Sequence, residues 1–325
     1  MKDARGIGAF GASTSLADAG PNHLRAPGGD AVPVPLQIGR TSARLGDYWA
    51  LTKPRLNFLV VATSAAGYYL GATRAIDLWA MGQAVAGTAL VAGGAAVLNQ
   101  VYERDTDALM RRTRTRPLPD GRVLPADARI FGLALALCGL MLLAARANLL
   151  ASLLAVATLI VYLVVYTPMK RRSSLSTLVG AVPGALPPLI GWTASHGSVS
   201  PGGAALFAIV FLWQIPHFMA IAWMYRADYA KAGFPMLPVI EPEGRRAGRQ
   251  AVVYAAILLP VSLVPTAIGL SGTWYFAIAM ALGLALLWLA ARFAQARSDD
   301  SARMLFLASI AYLPLIWMAM ILNKL

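Results

Sequence analysis

Roughly nine stretches of about 20 mostly apolar residues, separated by short basic loops, constrain this chain more than any other feature. They run approximately over residues 52–71, 78–98, 129–147, 149–167, 175–194, 204–224, 251–270, 273–292 and 304–322. Inside hydrocarbon a backbone must satisfy its own N–H and C=O groups, so each stretch is expected to be a helix. The predicted fold is all-α, a polytopic membrane bundle of about nine transmembrane helices. Only Arg146, Ala147 and Asn148 separate the third and fourth stretches, and only Ser271 and Gly272 the seventh and eighth, so both pairs are predicted to be tight hairpins. Composition agrees: 58% of the 325 residues are hydrophobic and 13% are charged, against about 25% charged in soluble domains.

A net charge of +13 would suit a nucleic-acid binder, but the basic residues lie in alternate short loops rather than on one polar face. No nucleic-acid partner is expected. Lysine and arginine mark the cytoplasmic side of short loops. Arg40, Arg44, Lys53 and Arg55 precede the first stretch, and Arg104 to Arg122 follow the second. Lys170, Arg171 and Arg172 follow the fourth, Arg226 to Arg249 the sixth, and Arg292, Arg297 and Arg303 the eighth. The N-terminus and every charge-rich loop are therefore expected in the cytoplasm, with the C-terminus outside. Residues 1–45 lack apolar periodicity and read as a disordered cytoplasmic tail, leaving 46–325 as the membrane domain. The tail has no continuous apolar core of a secretory signal, so a bacterial plasma or inner membrane is the expected location. Cys138, the single cysteine, can form no intrachain disulfide and is expected to pack inside a helix bundle.

The chemistry concentrates between Asn99 and Pro117, NQVYERDTDALMRRTRTRP, at the mouth of an apolar run. Asn99, Glu103 and Asp107 are four residues apart, so on a continuing helix they fall within roughly 80° of one another. Two carboxylates and an amide on one face suit a hard cation such as Mg²⁺, which takes oxygen ligands and shares them with substrate phosphates. Arg111, Arg112, Arg114 and Arg116 are placed to hold phosphate oxygens. Asp105 falls on another face and reads as a second ligand through water or as a partner of Arg104 or Arg111. A second polar segment after the sixth stretch carries Arg226, Asp228, Tyr229 and Lys231, then Gly233 and Pro235, which end a helix. Lys53 and Arg55 suit snorkelling anchors, whereas Asn57 lies one turn deeper. His217 sits beside Pro216 within an apolar run, where ionisable groups are candidates for function.

Six strings carry a resemblance: LTKPR from Leu51, NQVYERDTDALMRRTRTRPLP from Asn99, YTPMKRRS from Tyr166, GAVPGALPPLIGW from Gly180, WQIPHF from Trp213 and DYAKAGFPMLPV from Asp228. Together they resemble the protohaem IX farnesyltransferases, or haem O synthases, of the UbiA superfamily of intramembrane prenyltransferases. The resemblance implies a bundle whose cytoplasmic loops cap a central cavity opening sideways to lipid. It implies a reaction in which farnesyl diphosphate alkylates the vinyl group of haem B, water completing the product haem O. It assigns Mg²⁺ to Asn99, Glu103, Asp107 and Asp228, and diphosphate to Lys53, Arg112, Arg116 and Lys231. Asn57, Tyr102, Tyr166, Trp213, His217 and Tyr229 are the implied cavity residues, with Trp192 a further aromatic candidate; His217 is placed to approach the iron or the haem edge. Glu103 stands where many relatives have Asp. Ala227 stands where an acid is common, so the second carboxylate clamp is reduced to Asp228. A haem-modifying oxidase is the implied partner downstream.

Two alternatives share part of this pattern. A prenyltransferase acting on a quinone-precursor aromatic acid would have the same metal site but not the haem-branch strings. A secondary transporter would place its coupling residues near the bilayer midplane, whereas the acids here gather at one interface.

Overall fold

The computed structural model describes residues 43–325, so most of the expected tail, including Arg40, lies outside the described residues. The described chain is helical. A short α1 (Leu45–Leu51) leads into α2 (Pro54–Gly71), α3 (Leu78–Leu109) and α4 (Pro125–Arg146). Next, α5 (Leu149–Ile160) continues through a π-helical turn, Val161–Tyr166, into α6 (Thr167–Met169). Then come α7 (Ser176–His196), α8 (Pro201–Met224), the short α9 (Arg226–Lys231) and α10 (Leu237–Ile240), and finally α11 (Arg245–Ala267), α12 (Thr273–Ala296) and α13 (Asp299–Leu322). Seven of these among the described residues are long and apolar enough to cross a membrane: α3, α4, α5 through α6, α8, α11, α12 and α13. The other two of the nine expected stretches, α2 and α7, form helices of 18 and 21 residues that fall short of that apolar measure.

The two predicted hairpins form. Asn148 caps α5 by accepting from the Ala151 N–H at 2.8 Å, and its amide donates to the Thr193 carbonyl at 2.7 Å, tying the turn to α7. Helix α3 runs 11 residues beyond the apolar stretch that predicts it. At 32 residues it is about 48 Å long, well over the roughly 30 Å of a hydrocarbon core. Glu103 and Asp107 lie in its last turns, beyond the apolar run 78–98.

Small residues let the helices touch backbone to backbone. A Cβ on Gly94 of α3 would stand 2.6 Å from the Gly132 carbonyl of α4, and one on Gly139 2.6 Å from the Gly87 carbonyl. Helices α2 and α7 approach as closely: a Cβ on Gly67 would fall on the Pro188 carbonyl, and one on Gly191 on that of Ser64. Helices α11, α12 and α13 are joined by a buried polar chain in which Tyr275 donates to the Ser262 carbonyl at 2.6 Å and the hydroxyls of Ser262 and Tyr312 lie 2.7 Å apart. Lys324 follows α13 and donates to the carbonyls of Tyr69 and Ala72 at 2.8 Å, which links the end of the chain to α2. Outward surfaces are apolar, as at Leu137, Met141, Val164 and Trp288. Cys138 belongs to that surface: it is exposed, because α4 packs through the opposite face of Ala128, Gly132, Ala136 and Gly139.

Candidate active site at the cavity mouth

A cavity of about 650 Å³ lies among α2, α3, the π turn, α7 and α8. Its deep wall is apolar, with Val60, Val91, Pro183, Pro187, Phe218 and Ile221, and its mouth is charged, with Lys53, Glu103, Asp107, Arg112, Arg116 and Lys170. Asn99, Glu103 and Asp107 all line it, as their spacing on one helix face requires, and each is at most 6% exposed.

Every one of these oxygen groups meets a cation or a hydroxyl. The Glu103 carboxylate accepts from the Lys170 ammonium at 3.1 and 3.2 Å, and Asp107 pairs with Arg116 at 2.7 Å. Asn99 donates to the Thr167 hydroxyl at 3.2 Å and accepts from Lys53 at 3.4 Å. Thr167 in turn donates to the Tyr162 carbonyl at 2.7 Å, inside the π turn. That extra residue in the helix brings Tyr162 and Tyr166 to the cavity wall, stacked at 5.5 Å and 15°.

Lys53 reaches the mouth from a left-handed backbone, φ 50° and ψ 58°, just before Pro54. For a residue with a side chain this costs about 1–2 kcal/mol, and the flanking carbonyls show what holds it. Gln100 of α3 donates to the Leu51 carbonyl at 2.6 Å, and Asn57 donates to that of Thr52 at 2.6 Å. At Lys170 burial opposes the charge, but Tyr166 and Glu103 outweigh that and hold the ammonium above the usual lysine range.

The two polar loops meet over the mouth. The Arg112 guanidinium lies 4.9 Å from the Tyr225 ring centroid and 5.8 Å from that of Tyr229, and the Lys170 ammonium 4.6 Å from that of Phe234. Tyr229 lines the cavity, but its neighbours Asp228 and Lys231 do not, and Lys231 is exposed. No cluster of three or more His, Cys, Asp or Glu close enough to hold a metal occurs among the described residues. Arg226 turns away to Asp299, at 2.7 Å.

Of the aromatic candidates, Tyr166 and His217 line the cavity, as does Asn57. Tyr102 does not: it is 58% exposed on another face of α3. Trp213 is buried between helices with its indole N–H donated to the Ser309 carbonyl at 2.7 Å, and Trp192 lines a separate pocket beside Lys324. Sequence reasoning left out Tyr162, Lys170 and Gln214, although Lys170 and Gln214 stand in the quoted strings YTPMKRRS and WQIPHF. Asp105 pairs with Arg104 at the surface, at 3.0 Å.

Breaking the Lys170–Glu103 pair leaves a buried carboxylate without its counter-charge, so Lys170→Met should destabilise by about 3 kcal/mol. Adding Glu103→Gln should recover part of the lost thermal stability. Additive losses in that double-mutant cycle would show that the pair is not coupled.

A cavity with an apolar wall and a mouth of two buried carboxylates and four cations suits an anionic, lipid-like ligand. A model of the UbiA prenyltransferase family matches residues 60–316. A protoheme IX farnesyltransferase of Solibacter usitatus (strain Ellin6076) is 46% identical over 287 residues, covering 86% of this chain and 98% of the relative. That of Myxococcus xanthus (strain DK1622) is 43% identical over 281 residues, covering 86% and 94%. The chain therefore belongs to the UbiA prenyltransferase family and, within it, to the protohaem IX farnesyltransferases. Solved structures support the fold. A digeranylgeranylglyceryl phosphate synthase superposes with a TM-score of 0.74 at 17% identity, over 86% of this chain and 98% of its own. A UbiA homologue from Archaeoglobus fulgidus bound to GPP and Mg²⁺ gives 0.62 at 18%, over 84% and 99%.

Proposed function

We propose that residues 46–325 form a farnesyltransferase that joins farnesyl diphosphate to the vinyl group of haem B, giving haem O and diphosphate after water addition. The observation that carries this is the cavity itself: an apolar chamber that ends in Glu103 and Asp107, each paired with a cation of its own wall. The names of the curated relatives supply the acceptor and donor.

The oxygen donors fit Mg²⁺ by chemistry. Asn99, Glu103 and Asp107 are hard ligands, buried, on one face and open to one cavity. Asp228 would join them only after a movement of α9. Bound there, the metal would neutralise charge growing on the departing diphosphate. Lys53, Arg112, Arg116 and Lys170 bind the remaining phosphate oxygens, and Lys231 meets the diphosphate only if α9 closes. The stacked Tyr162 and Tyr166 present aromatic faces to the allylic cation left behind, and the apolar wall excludes water from it. The distribution of lysine and arginine supports a cytoplasmic charged mouth, and a bacterial inner membrane is the location this reading takes. Haem O would pass to a haem-modifying oxidase.

Tyr102→Ala should leave turnover near that of the unaltered chain, because the ring stands off the cavity. Tyr162→Ala should lower it by at least about tenfold if an aromatic face contributes the roughly 2 kcal/mol of a desolvated cation–π contact. Equal rates in the two variants would remove Tyr162 from the site. For the reaction, purified chain in detergent with haem B, farnesyl diphosphate and Mg²⁺ should yield haem O by mass; no product with all three present would reject the assignment.

A further inference from the structure

His217 lies on α8, one turn beyond Trp213, and lines the cavity. Its Nδ1 is 2.8 Å from the hydroxyl oxygen of Ser309 on α13. That hydroxyl also lies 2.7 Å from the Phe306 carbonyl, an acceptor to which it can only donate. With its hydrogen there, its oxygen accepts from the imidazole, which places the ring proton on Nδ1 and the lone pair on Nε2. Among the described residues Nδ1 makes the ring's hydrogen bond and Nε2 makes none.

The ring plane is fixed as well as the tautomer. Trp213 stacks on His217 at 5.0 Å and 20°, and Phe306 at 5.1 Å and 26°. Ser309 secures both partners, since its carbonyl also accepts the Trp213 indole N–H. One nitrogen is tied to Ser309 and the other makes no hydrogen bond in a ring that lines the cavity, the arrangement in which imidazoles bind metals. The other described histidine, His196, has its Nδ1 against the Gly71 carbonyl beside a different pocket. Lys170, a competing donor in the same cavity, is taken by Glu103.

We propose that His217 Nε2 is the axial ligand of the iron of the porphyrin substrate, an inference that rests on haem B being the acceptor. Ser309 is a positioning residue, fixing the tautomer and raising the ligand's basicity. Ligation pins one point of the porphyrin to α8 and leaves its rotation about the Fe–N bond to be set by the rest of the wall.

The test uses the full chain in detergent with ferrous haem B and no farnesyl diphosphate, so that turnover does not intervene. Resonance Raman spectra of the unaltered chain should show an iron–histidine stretch. In His217→Ala that band should vanish, haem should bind at least tenfold more weakly, and added imidazole should restore the band. Ser309→Ala should keep the band at a shifted frequency with affinity reduced about tenfold. A band that persists in His217→Ala, or unaltered chain that binds haem without one, would overturn the assignment. If His217→Ala does not fold, Ser309→Ala decides: an unchanged frequency and affinity count against the ligand. Failure of the acceptor assignment looks different, since the unaltered chain would then neither bind nor convert haem.

Discussion

Glu103→Gln is expected to lower turnover by roughly 10²–10³-fold, as does loss of one electrostatic group at a reacting centre, while the protein stays folded. The substitution keeps the shape and removes the charge that Lys170 neutralises, 3.1 Å away. Asp107→Asn should behave alike, because its carboxylate is 1% exposed and faces Arg116 from the same helix surface. Both losses should fall on turnover more than on haem binding, since neither carboxylate belongs to the apolar wall. Rates measured by haem O formation, beside a thermal unfolding curve for each variant, decide the matter. Near-normal rates in both would leave the paired carboxylates as structural groups only.

The second large effect concerns the scaffold. Gly191→Ala should destabilise by about 1–3 kcal/mol or abolish folding, because a Cβ there meets the rigid Ser64 carbonyl of α2 rather than a movable side chain. Gly67→Ala should act similarly through the Pro188 carbonyl. Gly82→Ala on α3 is the contrast: nothing stands within 4 Å of a Cβ there, and removing a helical glycine should stabilise by about 0.5–1 kcal/mol. Unfolding midpoints in one detergent would separate the three. A harmless Gly191→Ala would mean that α2 and α7 are not in backbone contact.

Elements defined by periodicity were legible from the sequence, and pairings across the fold were not. The four-residue spacing of Asn99, Glu103 and Asp107 needs only a continuous helix, and α3 supplies it. Tyr102 precedes Glu103 in the chain but is turned about 100° from it on a helix, which puts the ring outside. Tyr162 depends on a π turn, and nothing in VYLVVY announces the added residue. Trp213 follows a pattern that suits a cavity, yet its indole is claimed by Ser309, 96 residues later. The partner of Glu103 is likewise 67 residues away, in a loop whose lysine and arginines read first as topology. Of Arg226, Asp228, Tyr229 and Lys231 in the second polar segment only Tyr229 reaches the cavity; Asp228 and Lys231 remain proposals that require α9 to move.

The most direct measurement offers the purified chain two acceptors at once, haem B and 4-hydroxybenzoate, with farnesyl diphosphate and Mg²⁺, and identifies products by mass. Haem O as the farnesylated product, lost on adding a chelator and regained with Mg²⁺, is the expected result. Farnesylated 4-hydroxybenzoate in its place, or haem O formed at full rate with the chelator present, would contradict it.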